Sequence, residues 1–185
     1  MAYLQSRGLG LGQAYAQALG ASVEVHGVPK GAWFSDREVV LTVSGPSALV
    51  SYLEAQIIWL QFRVQVATIA KLHPETMAQR LSIATTERER EIILESIDAA
   101  GVQNAPEITV DTDGYFAHIK SRAEALVAAV EDPARVFEAG MRAASCAEQH
   151  LIAVEATKAA GFLATSNVEA ARALDMHAGG TTGHE

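Results

Sequence analysis

After Gly101 short apolar or β-branched runs alternate with helical stretches, and this alternation restricts the fold more than any other feature of the chain. Residues 107–111, 136–139, 162–164 and 176–178 read as strands, and 115–130, 147–160 and 168–174 as the helices between them. Such a rhythm implies βαβ crossovers and a parallel sheet or part of a barrel. A closed βα barrel takes eight strands and about 250 residues. The few strands expected here fall short of closure, so an open parallel edge must be buried against a second chain, another copy, or residues outside this sequence.

Before residue 102 the pattern differs. Residues 22–26 alternate and 38–43 are rich in β-branched side chains, with Gly27 to Gly31 turning between them, which predicts a small antiparallel meander. Gly45-Pro46-Ser47 then opens a long helix whose apolar positions Leu49, Tyr52, Leu53, Ile57, Leu60, Val64 and Ala67 recur at helical spacing. A second helical region runs from His73-Pro74 to about Ala100, with 87–91 as a solvated charged turn and Gly101 as its cap. Residues 4–19 look helical, although Gly8, Gly10 and Gly12 weaken the pattern. These glycines are not a dinucleotide fingerprint, because no strand precedes them. The expected architecture is an α+β front domain over residues 1–101, followed by part of an α/β barrel with parallel strands over 102–185.

Charge and cysteine use narrow the function classes. Fourteen Lys and Arg against 22 Asp and Glu give a formal charge of -8, so no broad basic field exists for a phosphate backbone and nucleic acid is not an expected partner. The most apolar window, 55–70, carries Gln56, Gln61, Arg63 and Gln65, which a lipid-spanning helix rarely tolerates, so no membrane is expected. The single Cys146 cannot form an internal disulfide and the amino terminus shows no secretory pattern; a cytoplasmic protein is expected.

Ligands of parallel βα folds bind at the carboxyl ends of the strands. Three such tips hold small or polar groups: 138–145 with Arg142, the Thr165-Ser166-Asn167 triplet, and 179–185 with Gly180, Thr181 and His184. Each has a plainer reading, since Arg142 suits a helix start, Thr165-Ser166-Asn167 suits an N-cap, and the last stretch suits a tail. Their succession at three strand ends favours a site. The other histidines lack metal-ligand spacing, Cys146 has no base beside it in sequence, and Asp111-Thr112-Asp113-Gly114 fits a turn better than a Mg²⁺ site. No metal ligand and no thiol nucleophile is assigned.

The run Glu138-Ala139-Gly140-Met141-Arg142, then Gly161-Phe162-Leu163-Ala164-Thr165-Ser166-Asn167-Val168, then Gly180-Thr181-Thr182-Gly183-His184-Glu185 resembles the nicotinate phosphoribosyltransferase family. The stretch from Gly45-Pro46 through Leu53-Glu54 to Ala67-Thr68 is similar to that family's long helix after its first sheet. The resemblance implies transfer of a phosphoribosyl group from phosphoribosyl pyrophosphate to nicotinate or a similar heterocyclic acid, in NAD biosynthesis, with ATP and Mg²⁺ as cofactors. It implies a phosphohistidine at His184, and substrate contacts from Arg142, Thr165, Ser166, Asn167, Gly180 and Thr181. A serine at 166, where relatives that use nicotinamide resemble one another in carrying an aspartate, favours the acid over the amide. Ala139 stands where the family has a phenylalanine, and Ala143 where it has a second arginine. A homodimer or a complementing chain is expected to complete the site. The alternatives are a non-catalytic or split-subunit relative and a quinolinate-type transferase.

Overall fold

The computed structural model describes residues 22–29, 31–130 and 132–180. The helix expected over 4–19, and Thr181 and His184, lie outside the described residues. The chain is α+β, with small antiparallel and parallel sheets, none of them closed. It divides into two compact units, one ending at Ile57 and one beginning at Ile58.

In the first unit β1 (Glu24–Gly27) pairs antiparallel with β2 (Leu41–Ser44), in a register that sets Val25 against Val43. The second strand starts later than its β-branched run suggests. Arg37 has a φ of 66° and the Glu38 amide donates to the Ser35 carbonyl, so the turn extends into the run. Helix α1 (Ser47–Leu72) begins at Ser47 as expected.

The second unit holds the later turns of α1, then α2 (Pro74–Leu81), β3 (Ile83–Ala84), α3 (Glu87–Ala99), β4 (Thr109–Val110), α4 (Thr112–Val130), α5 (Ala147–Ala159), β5 (Ala164–Thr165), α6 (Val168–Ala173) and β6 (His177–Ala178). Its main core joins Val66 and Ala70 of α1 to Met77, Leu81, Ala84, Ile93, Ile97 and Ile108, with Phe62 and Ile69 packed alongside. The buried stripe of α1 in this unit is thus Phe62, Val66, Ile69 and Ala70, whereas Leu60 and Val64 of the expected face are exposed.

One expected helix proves to be two. β3 interrupts it between Leu81 and Glu87 and pairs parallel with β4, Ile83 opposite Thr109 and Ala84 opposite Val110. This pair joins residues on either side of position 102 within the second unit. The charged run 87–91 is the opening of α3. Thr86 caps that helix by accepting from the Glu89 amide at 3.0 Å, and the Glu89 side chain is buried, not solvated.

The later strands are parallel, as their spacing predicts. β5 pairs with β6, and Glu138 alone of the stretch 136–139 bridges to Thr165. Two 3-10 turns shorten that stretch from either side. Pro133–Arg135 is held by Asp132 Oδ1 accepting from the Ala134 amide at 2.9 Å, and Gly140–Ala143 follows at once.

Three helix ends use one device to enter a strand. After α3, Gly101 takes a φ of 73°, its amide donates to Asp98 and the Val102 amide to Ile97. After α5, Gly161 takes 104°, with bonds from Gly161 to Lys158 and from Phe162 to Thr157. After α6, Asp175 takes 50° and the Met176 amide donates to Ala171. These are left-handed C-terminal caps, which satisfy the last carbonyls and turn the chain. They lie at the amino ends of the strands and leave the carboxyl ends to the site.

Candidate functional site

The carboxyl end of the parallel strands in the second unit is organised by two buried carboxylates, Glu138 and Glu89, which are 6% and 7% exposed. Both are served by α5, through neighbouring residues. His150 reaches Glu138 and Gln149 reaches Glu89.

Glu138 stands at the bridge between its own stretch and β5. Its backbone amide donates to Ala164 and its carbonyl accepts from Ser166. Its Oε2 accepts from Thr165 Oγ1 at 2.6 Å, and its Oε1 faces His150 Nε2 at 3.1 Å and accepts from the Gly140 amide. Burial alone would push this carboxyl up; the hydrogen bonds from His150 and Thr165, the imidazole's charge when protonated, and the Gly140 amide outweigh it, so the carboxyl lies below the ordinary range. Gly140 is required by closeness: a Cβ there would sit 2.8 Å from Glu138 Oε1.

Asn167 determines the tautomer of His150. Its Oδ1 caps α6, accepting from the amides of Glu169 and Ala170 at 3.1 Å each, so its Nδ2 must be the atom 3.1 Å from His150 Nδ1. An amide nitrogen donates, so Nδ1 accepts and the ring proton sits on Nε2, where it donates to Glu138. The Asn167 amide in turn donates to Thr165 Oγ1 at 3.1 Å. Thr165, fully buried, therefore has one donor and one acceptor satisfied inside the protein.

The second carboxylate is built alike. Glu89 Oε2 accepts from the Thr85 amide at 2.6 Å and from Thr85 Oγ1 at 2.5 Å, and Oε1 accepts from Gln149 Nε2 at 3.2 Å. Gln149 also donates to Thr85 Oγ1 at 2.9 Å and accepts from the Ser145 amide at 2.7 Å. Thr112 Oγ1 donates to the Thr85 carbonyl at 2.7 Å, which ties the start of α4 to the end of β3. On α4, Tyr115 is half-buried; burial pushes its phenol up, and the charges of Glu89, Cys146 and Glu138 push it further, so it stays protonated. Cys146 is buried between Thr86 Oγ1 at 3.7 Å and Ser145 Oγ at 3.8 Å.

Beside this network lies a pocket of about 410 Å³. Its lining includes Gln61, Phe62 and Gln65 of α1 together with Glu89, Arg142 and Gln149. The Gly140–Ala143 turn is held at its rim by Trp59 Nε1, which donates to the Met141 carbonyl at 3.0 Å.

Of the residues that the sequence singles out, Arg142 is exposed at the pocket. Thr165 is a buried support, Asn167 is both helix cap and partner of His150, and Ser166 is half-buried between them. The third tip joins the same end, since the Gly179 amide donates to the Thr165 carbonyl and Gly180 follows it. Asp111 accepts from the Gly114 amide at 2.9 Å at the start of α4, so the run expected to be a plain turn opens that helix instead. The sequence assigns no site role to Glu138, His150, Glu89 or Gln149. The Thr86-x-x-Glu89 spacing of a capping box was the one local signal for Glu89, while His150 meets partners 12 and 17 residues away.

Among the described residues no group of three or more His, Cys, Asp or Glu could hold a metal ion, and no helix is long and apolar enough to cross a membrane. No protein-family model matches the chain, and no curated protein or solved structure matches it significantly.

Proposed function

We propose that the chain acts in phosphoribosyl transfer of the nicotinate type, in which a ring nitrogen attacks the anomeric carbon of phosphoribosyl pyrophosphate. A C–N bond forms, the C–O bond to pyrophosphate breaks, and its electron pair leaves with the pyrophosphate. The transition state is cationic at the sugar, so the protein's work is placement and charge complementarity.

One observation carries this reading: Glu138 joins two of the resembling motifs at a single strand end. Its carboxylate holds the Gly140 turn that bears Arg142, and its backbone and side chain hold Thr165 and Ser166. A guanidinium at the pocket rim suits a carboxylate in a paired, planar grip, which a lysine would not reproduce. The Ser166 hydroxyl is able to donate to a carboxylate, whereas an aspartate there would repel one.

The family's cofactors are Mg²⁺ and ATP. The described residues form no cage of three acidic or imidazole ligands for the ion, so no step is assigned to it here. His184 as phosphoryl acceptor, a homodimer or complementing chain, and a cytoplasmic setting belong to the same proposal and rest on the sequence motifs.

Titration calorimetry of the purified chain with nicotinate and with nicotinamide tests the reading, alongside chromatographic assay for the mononucleotide in the presence of phosphoribosyl pyrophosphate, Mg²⁺ and ATP. The acid should bind more tightly than the amide. Arg142→Ala should weaken the acid roughly ten- to hundredfold, the range expected for a charged hydrogen bond. Equal affinity for acid and amide, unmoved by that substitution, overturns the assignment.

A further inference from the structure

The two buried carboxylates differ in one respect. Glu138 is held by the neutral His150 imidazole, Thr165 and the Gly140 amide, while Glu89, with which among the described residues no lysine, arginine or histidine pairs, borders the pocket. Glu89 is held entirely by neutral donors, the Thr85 amide and hydroxyl and the Gln149 amide. An ionised carboxylate offers about four acceptor positions, and these donors use three. Buried carboxylates without a cation are costly unless something else satisfies them. Glu89 lines the 410 Å³ pocket, together with Arg142 and the ring of Phe62.

That pocket therefore has a guanidinium, an aromatic side chain, and a carboxyl acceptor held in place by three hydrogen bonds. Plain nicotinate would use the first two only. Its ring nitrogen is itself an acceptor at neutral pH and has nothing to donate to Glu89.

Resting on the phosphoribosyl-transfer reading, we propose that this pocket takes a planar heteroaromatic acid bearing an amino or hydroxyl donor across the ring from its carboxylate. Arg142 receives the carboxylate and Glu89 the donor, and Gln149 and Thr85 hold the Glu89 carboxylate in position. The donor is distinct from the ring nitrogen that attacks the sugar. Glu89 is then a specificity-determining residue.

The test is calorimetric competition of nicotinate against 6-aminonicotinate on the full chain, repeated on Glu89→Gln. 6-Aminonicotinate should bind roughly tenfold or more tightly than nicotinate, and Glu89→Gln should abolish that preference. Should Glu89→Gln fail to fold, the comparison on the unmodified chain decides alone. Equal or weaker binding of 6-aminonicotinate, with nicotinate still bound, overturns the role of Glu89 and leaves the transferase reading intact. Failure of both acids to bind overturns both.

Discussion

Glu138 takes three hydrogen bonds on one carboxylate, and their sum holds its charge inside the protein. Because this carboxyl titrates below its ordinary range when folded, its stabilisation is complete above the unfolded glutamate pKa and is lost as pH falls through the lower folded value. Urea unfolding of the chain and of Glu138→Gln, followed from neutral to acid pH, should give midpoints that converge as the pH falls through that window; a gap that stays constant would exclude the linkage. Thr165→Val keeps the shape but removes a donor to Glu138 and the acceptor of the Asn167 amide. It should destabilise the second unit by about 1–3 kcal/mol, read from the same urea curves. The site residues that sequence reading did reach are those whose neighbours in the chain already suggest a role. Asn167 precedes a helical run, and Arg142 stands two residues after Gly140. His150 offers no such hint, since nothing within α5 reveals that one ring nitrogen meets a carboxylate and the other a helix cap.

At the scale of elements, turns were more readable than strands. Gly101 announced its cap, and its φ of 73° shows why glycine stands there. Asp175 does the same work at 50° without announcing it, because a side chain in this region is uncommon and glycine is the usual signal. Asp175→Gly should therefore stabilise the chain by about 0.5–1 kcal/mol in thermal or urea unfolding, as a left-handed position relieved of its Cβ. Strand β3 was hidden because two residues carry no detectable period, and because flanking helices of good propensity blur into one. The strand expected at 136–139 is reduced to a single bridging residue: β-branched and aromatic residues are present, but Pro133 and Gly140 begin turns on either side. Asn167→Ala removes a cap and a partner of His150 together, and should cost about 0.5–2 kcal/mol, the range for loss of an N-cap. Asn167→Asp, which keeps the cap, should recover that part of the loss.

For the molecule as a whole, two kinds of interaction divide the labour unequally. The apolar core of the second unit centres on Ile93 and Ile97, which are 2% and 1% exposed, so Ile97→Ala should cost about 2–5 kcal/mol and shift the urea midpoint accordingly. By contrast, Arg63–Glu95 at 2.8 Å and Arg88–Glu91 at 2.8 Å are exposed pairs, and raising salt should change their contribution little because it is small to begin with. The alternation after Gly101 disclosed parallel pairing, yet it could not disclose that the pairs stay short and separate, which depends on where helices and 3-10 turns claim the chain. Consecutive side chains of α5, Gln149 and His150, are moored to different strand ends. Sliding that helix by a single residue would unseat both moorings at once. The helix thus behaves as a dowel, and any adaptation to an incoming molecule must come from the surrounding loops rather than from the rod itself.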